Sequence, residues 1–243
     1  TKADLVTYAG QGGYTIYIDG MIDMSEGMLP SSGGGTTEAL NAFVAANSAY
    51  SDYNAWKSDF GTASVTADTS SPLNNAYGNK IRLQVASNTA IIGKTAASGI
   101  KGGNIYINGK QNVVLRNLLI QDGYDPFPNH EKNDGWNAQQ DNIAIRGSKN
   151  IWVDHCTMED TLTLSTAPNG EKWQTYDGLC DMKNASTNIT VSNCLFKNHD
   201  KTMLIGSSDD DGDNSVRFIT LYQNYFYNCG QRLPMVRNTT IHI

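Results

Sequence analysis

The sequence predicts an all-β fold, a parallel β-helix, and three observations carry that reading. Short segments resemble one another: NVVLRNLLI begins at Asn112, NIWVDHCTM at Asn150 and NITVSNCLF at Asn188, with 38 positions between successive starts. FITLYQNYF from Phe218 reads as a fourth copy. Composition is rich in Asn, Gly, Ser and Thr, and outside one N-terminal stretch no long segment repeats apolar residues at the helical period. Recurrent short strands with an Asn at a fixed place, joined by polar segments of uneven length, are expected when each copy is one coil of a solenoid. Stacked coils set equivalent residues about 4.8 Å apart, so Asn forms ladders while Val, Ile and Leu fill the interior. The 243 residues are read as one domain, 1–243.

In chain order, GGYTIYIDGMID (12–23) reads as a strand. TTEALNAFVAANSAYSDYNAWKSDF (36–60) reads as a short N-terminal helical segment, with Leu40, Phe43, Val44 and Tyr50 covering one face. IRLQVASNTAIIGKTAASGIKGGNIYING (81–109) reads as strand, turn, strand with Gly punctuation. The long loop DGYDPFPNHEKNDGWNAQQD (122–141) carries Tyr124, Phe127 and Trp136, any of which is expected to line a groove and stack on its ligand. The offset of 38 also aligns Cys156 with Cys194, expected as two stacked, packed thiols, although a disulfide is open to them.

Charge and composition exclude several classes. The net charge of -6 and isoelectric point near 5.1 argue against a nucleic-acid partner, which needs a basic face. No apolar run is long enough to span a membrane, and TKADLVTYAG has no signal-peptide core. A start at Thr1 is consistent with a mature secreted chain or with a fragment. Cys156, Cys180, Cys194 and Cys229 make neither a disulfide scaffold nor a zinc spacing, and buried thiols are expected.

Three aspartates stand where coil ends bring residues together: Asp141 in QQDNIAIRG, and Asp177 and Asp181 in YDGLCDMK. Clustered carboxylates repel unless a cation sits among them, and oxygen ligands with no His or Cys beside them favour Ca²⁺. On a straight strand, Asp177 and Asp181 would lie roughly 13 Å apart, so a kink at Gly178 is expected to draw them together. Spacing alone leaves open that they are solvated turn residues. Lys201 follows the third repeat and Arg232 the fourth, with Arg237 five positions on, so one face would carry carboxylates in earlier coils and cations in later ones. That dipolar face suits an acidic substrate. A plain surface arginine pair is the competing account.

His155 beside Asp154 and His199 beside Asp200 are expected to make structural hydrogen bonds, and Trp152 to pack. The run DDDGD (209–213) has no closing Glu of an EF-hand and reads as a solvated turn.

GSKNIWVDHCTM, DGLCDMKNASTNITVSNCLF, NHDKTMLIGSSDD and NYFYNCGQRLPMVR resemble, in order and separation, motifs of the polysaccharide lyase family that contains pectate and pectin lyases. The likeness extends back through NVVLRNLLIQD and SNTAIIGK to TIYIDGMID. It implies a right-handed, single-stranded parallel β-helix and a secreted protein. It makes Asp141, Asp177 and Asp181 the calcium ligands of a pectate lyase, Lys201 and Arg237 substrate-binding cations, and Arg232 the catalytic base. The implied reaction is β-elimination in α-1,4-linked polygalacturonate, yielding 4,5-unsaturated oligogalacturonates. An arginine base is physically awkward, because guanidinium is normally always charged. Three aspartates favour pectate over the calcium-independent pectin-lyase branch, and a non-catalytic pectate-binding solenoid is the alternative from another class. The chain departs from the family at Met235, where an arginine is usual. Family members continue beyond the equivalent of Ile243. The expectation is therefore a monomer that lacks C-terminal coils, because a solenoid cut there exposes a strand edge and apolar interior.

Overall fold

The computed structural model describes residues 1–31, 35–62, 68–162, 165–168, 170–210 and 215–243. Three parallel sheets run along its length, and each coil contributes one strand to each sheet. The first sheet takes Thr15–Ile18, Thr89–Gly93, Gln111–Arg116, Lys149–Asp154, Thr187–Ser192, Arg217–Tyr222 and Ile241–His242 in spatial order. The second takes Met21–Asp23, Gly99–Lys101, Leu119–Gln121, Thr157–Glu159, Leu195–Lys201 and Tyr225–Gln231. The third takes Arg82–Gln84, Asn104–Asn108, Ile143–Arg146, Cys180–Lys183, Leu204–Ile205 and Met235–Val236. This is the parallel β-helix that the repeats predict.

The register confirms the offset of 38. Ile151 pairs with Val113 and with Ile189, so Asn112, Asn150 and Asn188 stack. Their side chains donate in series: Asn112 to Asn88 at 2.8 Å, Asn150 to Asn112 at 3.1 Å and Asn188 to Asn150 at 3.3 Å. Each Asn has a positive φ, between 54° and 62°, which its short polar side chain tolerates better than most. In the next coil the spacing shortens, since Ile219 pairs with Ile189, and Phe218 takes the ladder position with φ 55°.

Alternation along each strand turns one set of residues inward. Val113, Ile151, Ile189 and Ile219 form one interior column, and Ile120, Met158, Phe196 and Phe226 another. All but Phe226, which is partly buried, are almost wholly removed from solvent, each worth about 1.5–3 kcal/mol. Cys156 and Cys194 are buried free thiols, as expected, and Cys180 is buried with them. Trp152 faces outward instead. It is 40% exposed and donates to Ser192 Oγ at 2.9 Å, because it alternates with the inward Ile151 and Val153.

The N-terminal part holds more helix than the sequence predicts. Helix α1 (Lys2–Gln11) starts in a capping box between Thr1 and Asp4 and packs Leu5 and Ala9 against the solenoid core. The stretch expected as one helix is two, α2 (Glu38–Asn47) and α3 (Tyr53–Phe60). Asp52 divides them, because its carboxylate accepts from Ala55 N and caps a new start. Helix α4 (Asn74–Ile81) runs directly into the strand from Arg82.

These helices cover a second apolar cluster that holds Leu40, Val44, Tyr53, Trp56, Tyr77, Phe127, Trp136 and Trp173. Here the expectation of sugar-stacking aromatics is corrected. Tyr124, Phe127 and Trp136 are 5%, 0% and 1% exposed, and Phe127 meets Trp56 edge-on at 4.9 Å. The loop curls under the helices because burying large rings outweighs leaving them in water. Its strands Asn129–Glu131 and Gly135–Asn137 form an accessory sheet with Lys172–Trp173 and Ser165–Thr166.

Asp125 pins this loop. It is fully buried and accepts from Phe127 N at 3.0 Å, Gln139 N at 2.8 Å and Asn74 Nδ2 at 2.6 Å. Burial pushes its carboxyl up to about 6, against the pull of those donors. A raised folded value means that the protonated group favours folding. That contribution is complete below about pH 4 and lost as pH rises through 6, on the order of 3 kcal/mol. Urea unfolding at pH 4, 5 and 6 is expected to show a downward stability slope that Asp125→Asn flattens, and equal slopes in both proteins would refute this role.

Candidate active site

Asp141, Asp177, Lys201 and Arg232 lie at or beside the loops that run from the second sheet to the third, Asp181 lies on the third-sheet strand Cys180–Lys183, and Arg237 follows the third-sheet strand Met235–Val236. Three neighbouring turns are stitched in order. Leu179 N donates to Thr202 O, Thr202 N to Gln231 O, and Met203 N to Arg232 O, at 3.1, 3.0 and 2.9 Å. This backbone stack sets the carboxylate turn, the turn after Lys201 and the turn holding Arg232 side by side, the order the repeats imply.

Gly178 organises the carboxylates. Its amide donates to Asp141 Oδ1 at 3.0 Å, and a Cβ built on it would lie 2.3 Å from Asp181 Oδ1. No side chain fits there, so both acids approach one glycine. Asp177 lies before the strand Cys180–Lys183 rather than along it, and the chain bends at Leu179, one residue beyond the glycine where a kink is expected. Asp181 Oδ1 also accepts from Leu204 N at 2.9 Å.

Asp141 and Asp181 are 2% and 1% exposed. Burial, then the charges of Asp181 and Asp177, hold the Asp141 carboxyl well above its ordinary range. Burial likewise raises Asp181, opposed by Lys183. Lys183 is a cation among these acids that the sequence reading missed. Its ammonium stands 3.1 Å from Asp181 Oδ2, and although burial pulls it down, the three aspartates outweigh that and raise it. The signal was legible: two residues apart on one strand, Asp181 and Lys183 share a face.

Among the described residues no three His, Cys, Asp or Glu side chains are already grouped around a single ion position. The donor set nonetheless fits a hard cation in kind. It is all carboxylate oxygen, and one of those oxygens, Asp181 Oδ2, already draws the Lys183 ammonium to 3.1 Å.

The three other predicted residues are held differently. Lys201 is 4% exposed, with its ammonium on Asn137 Oδ1 at 2.6 Å and near Asp134 at 3.7 Å. Arg237 reaches Asp209 Oδ1 at 3.2 Å and Oδ2 at 3.3 Å, and Ser207 O at 3.2 Å. Its backbone is seated against Gly206, whose φ is 92° and where a Cβ would fall 2.1 Å from Arg237 O. Arg232 has φ 59°, an uncommon conformation for a side-chain-bearing residue that recurs at functional sites. Asp209 is exposed and does more than line a turn; Asp211, Gly212 and Asp213 of the same run lie outside the described residues.

The histidines make the structural hydrogen bonds expected of them. His155 Nδ1 pairs with Asp154 at 2.7 Å. His199 is buried, with Nδ1 2.6 Å from Asp160 Oδ2 and Nε2 2.6 Å from the Asp177 carbonyl. Burial lowers its basicity, but the Asp160 carboxylate and the Asp177 carbonyl raise it further than burial lowers it. Asp160 and Tyr176 also line a polar cavity of about 290 Å³ with Lys172, Gln174, Asn198 and Asp200.

Comparison with known proteins joins this geometry to a family. The chain is 40% identical over 166 residues to pectate lyase E of Dickeya chrysanthemi, an alignment covering 66% of this chain and 41% of that protein. It thus spans about two fifths of that relative's length. A thermostable pectate lyase structure superposes with a TM-score of 0.81 at 31% identity, covering 100% of this chain and 62% of the other. A pectate lyase bound to a hexasaccharide superposes with a TM-score of 0.80 at 30% identity, covering 99% and 63%. The family model described as pectate lyase matches residues 39–243, and with this match and the parallel β-helix that the structure shares with these proteins, the chain belongs to the pectate lyase family.

Proposed function

We propose that the protein is a calcium-dependent, secreted pectate lyase that cleaves α-1,4-polygalacturonate by β-elimination to 4,5-unsaturated oligogalacturonates. The observation that carries this is the convergence of Asp141 and Asp181 on Gly178, two stacked turns from the segment that bears Arg232, with the turn after Lys201 between them. Asp141, Asp177 and Asp181 would hold calcium, which supplies positive charge beside the substrate carboxylate and so acidifies the adjacent C5–H. Arg232, as the neutral guanidine, takes the C5 proton and becomes guanidinium. The electron pair of that C–H bond forms the C4–C5 double bond as the C4–O bond breaks, and the leaving oxygen departs with the second sugar. No water enters the step, so the paired acids of a glycosidase are not needed.

Lys201 and Arg237 bind substrate carboxylates. Until then Asn137 and Asp209 hold the two cations in place, and an acidic polymer replaces these acceptors. The decisive experiment follows ultraviolet absorbance of the conjugated product from polygalacturonate, with calcium and again with a chelator. Product only with calcium is expected. Calcium-independent product from methyl-esterified pectin would point to a pectin lyase, and tight binding without product would point to a binding solenoid.

A further inference from the structure

Two of the three carboxylates are held through their own oxygens, Asp141 by Gly178 N and Asp181 by Leu204 N. Among the described residues, Asp177 is held instead through its main chain, where its carbonyl lies 2.6 Å from His199 Nε2. The opposite ring nitrogen lies 2.6 Å from Asp160 Oδ2. The imidazole therefore bridges two loops: the one that delivers Asp177 and the one that leaves the strand Thr157–Glu159. His199 belongs to the strand Leu195–Lys201 and stands two residues before Lys201. Its side chain is 1% exposed and that of Asp160 is 9% exposed, so neither can swing into solvent and leave the bridge.

The ring also sits in a layered stack. Tyr176, the residue before Asp177, meets His199 with ring centroids 6.1 Å apart at 70°, and its hydroxyl donates to Asp122 Oδ1 at 2.7 Å. Asp122 in turn accepts from Thr161 N at 2.7 Å and Thr161 Oγ1 at 2.6 Å. The Asp160–Thr161 pair is thereby fixed from one side by Asp122 and from the other by His199.

We propose that His199, backed by Asp160, is a positioning residue that sets the cation affinity of the site by fixing the backbone of Asp177. This rests on the calcium reading above. A carboxylate whose backbone drifts by a fraction of an ångström loses the shared geometry that a cation requires, and partners that orient metal ligands typically govern affinity by about ten- to a hundredfold. His199 touches no reacting atom in this account, so its effect appears in calcium binding and in the calcium needed for half-maximal activity, while kcat at saturating calcium recovers.

The test titrates calcium into the metal-free protein by calorimetry for wild type, Asp181→Asn, His199→Gln and His199→Gln/Asp160→Asn. The double variant leaves no buried carboxylate without a partner, so it remains informative if the single one folds poorly. Expected are measurable binding by wild type, its loss in Asp181→Asn, and affinity about tenfold or more weaker in both His199 variants with near-wild-type circular dichroism. Asp160→Asn alone should weaken binding, but should add nothing once His199 is replaced. Wild-type affinity in a folded His199 variant overturns this proposal and leaves the calcium reading standing. Absence of calcium binding by the wild type overturns both.

Discussion

Arg232→Lys is expected to lower the rate of unsaturated product formation by about a hundredfold to ten-thousandfold, the range over which a positioned proton acceptor acts. The expected loss falls on kcat, with affinity for polygalacturonate little changed, because the substitution keeps a long basic side chain and removes the planar fork. The structure motivates that split. Among the described residues the Arg232 side chain has no hydrogen-bond or ion-pair partner, whereas Lys201 and Arg237 are committed to Asn137 and Asp209. Its backbone is held firmly all the same, with the Arg232 carbonyl accepting from Met203 N at 2.9 Å and Met235 N donating to Met203 O at 2.9 Å. A free head group on a fixed backbone is what a reacting group needs. Steady-state kinetics that show Arg232→Lys within tenfold of wild type would remove Arg232 from the chemistry.

Asp141→Asn should separate activity from stability. The variant keeps an oxygen for the Gly178 amide, which donates at 3.0 Å, but deletes one of the charges that a cation would bind. Activity is expected to fall by at least about a hundredfold, as when one preorganised electrostatic group is removed. Stability in chelator should rise. Burial and the neighbouring Asp181 charge hold the Asp141 carboxyl well above its ordinary range, so its ionised form destabilises the fold at neutral pH, where the unfolded chain ionises freely. Replacing it with a neutral amide removes that penalty. Thermal melts at neutral pH decide the matter: wild type should melt below Asp141→Asn in chelator, and added calcium should stabilise only the wild type. A variant that melts lower in chelator would show that Asp141 is structural.

The coils were legible in the sequence because they obey a period. A stack of parallel strands repeats its environment at each coil, so Asn112, Asn150 and Asn188 announce the ladder, whereas the acids follow it loosely, since the register pairs Asp181 with Ala144 rather than with Asp141. Even the irregular coil was visible, since Phe218 heads a recognisable copy although it breaks the Asn ladder. Lys183 could have been read by the same alternation that places it beside Asp181.

The side excursions follow no period, and there the reading of Tyr124, Phe127 and Trp136 as groove residues failed. An aromatic in a long loop serves equally well as a sugar platform or as core, and only the presence of α2, α3 and α4 over that loop makes it core. Helix α1 was silent for a related reason, because just two of its residues, Leu5 and Ala9, are buried. The link from His199 to Asp177 spans 22 positions, and that to Asp160 spans 39; only the second approaches the coil repeat.

Spacing carried the β-helix and the stacking of its Asn and aliphatic columns, because nearest-neighbour stacking writes itself into the repeat, while the acids and cations proposed for the site came from the family resemblance. Which of those groups are free, which are paired and what holds Asp177 in place emerged with the folded coils. Those outcomes depend on loops from different coils meeting in space, and on the burial that their meeting creates.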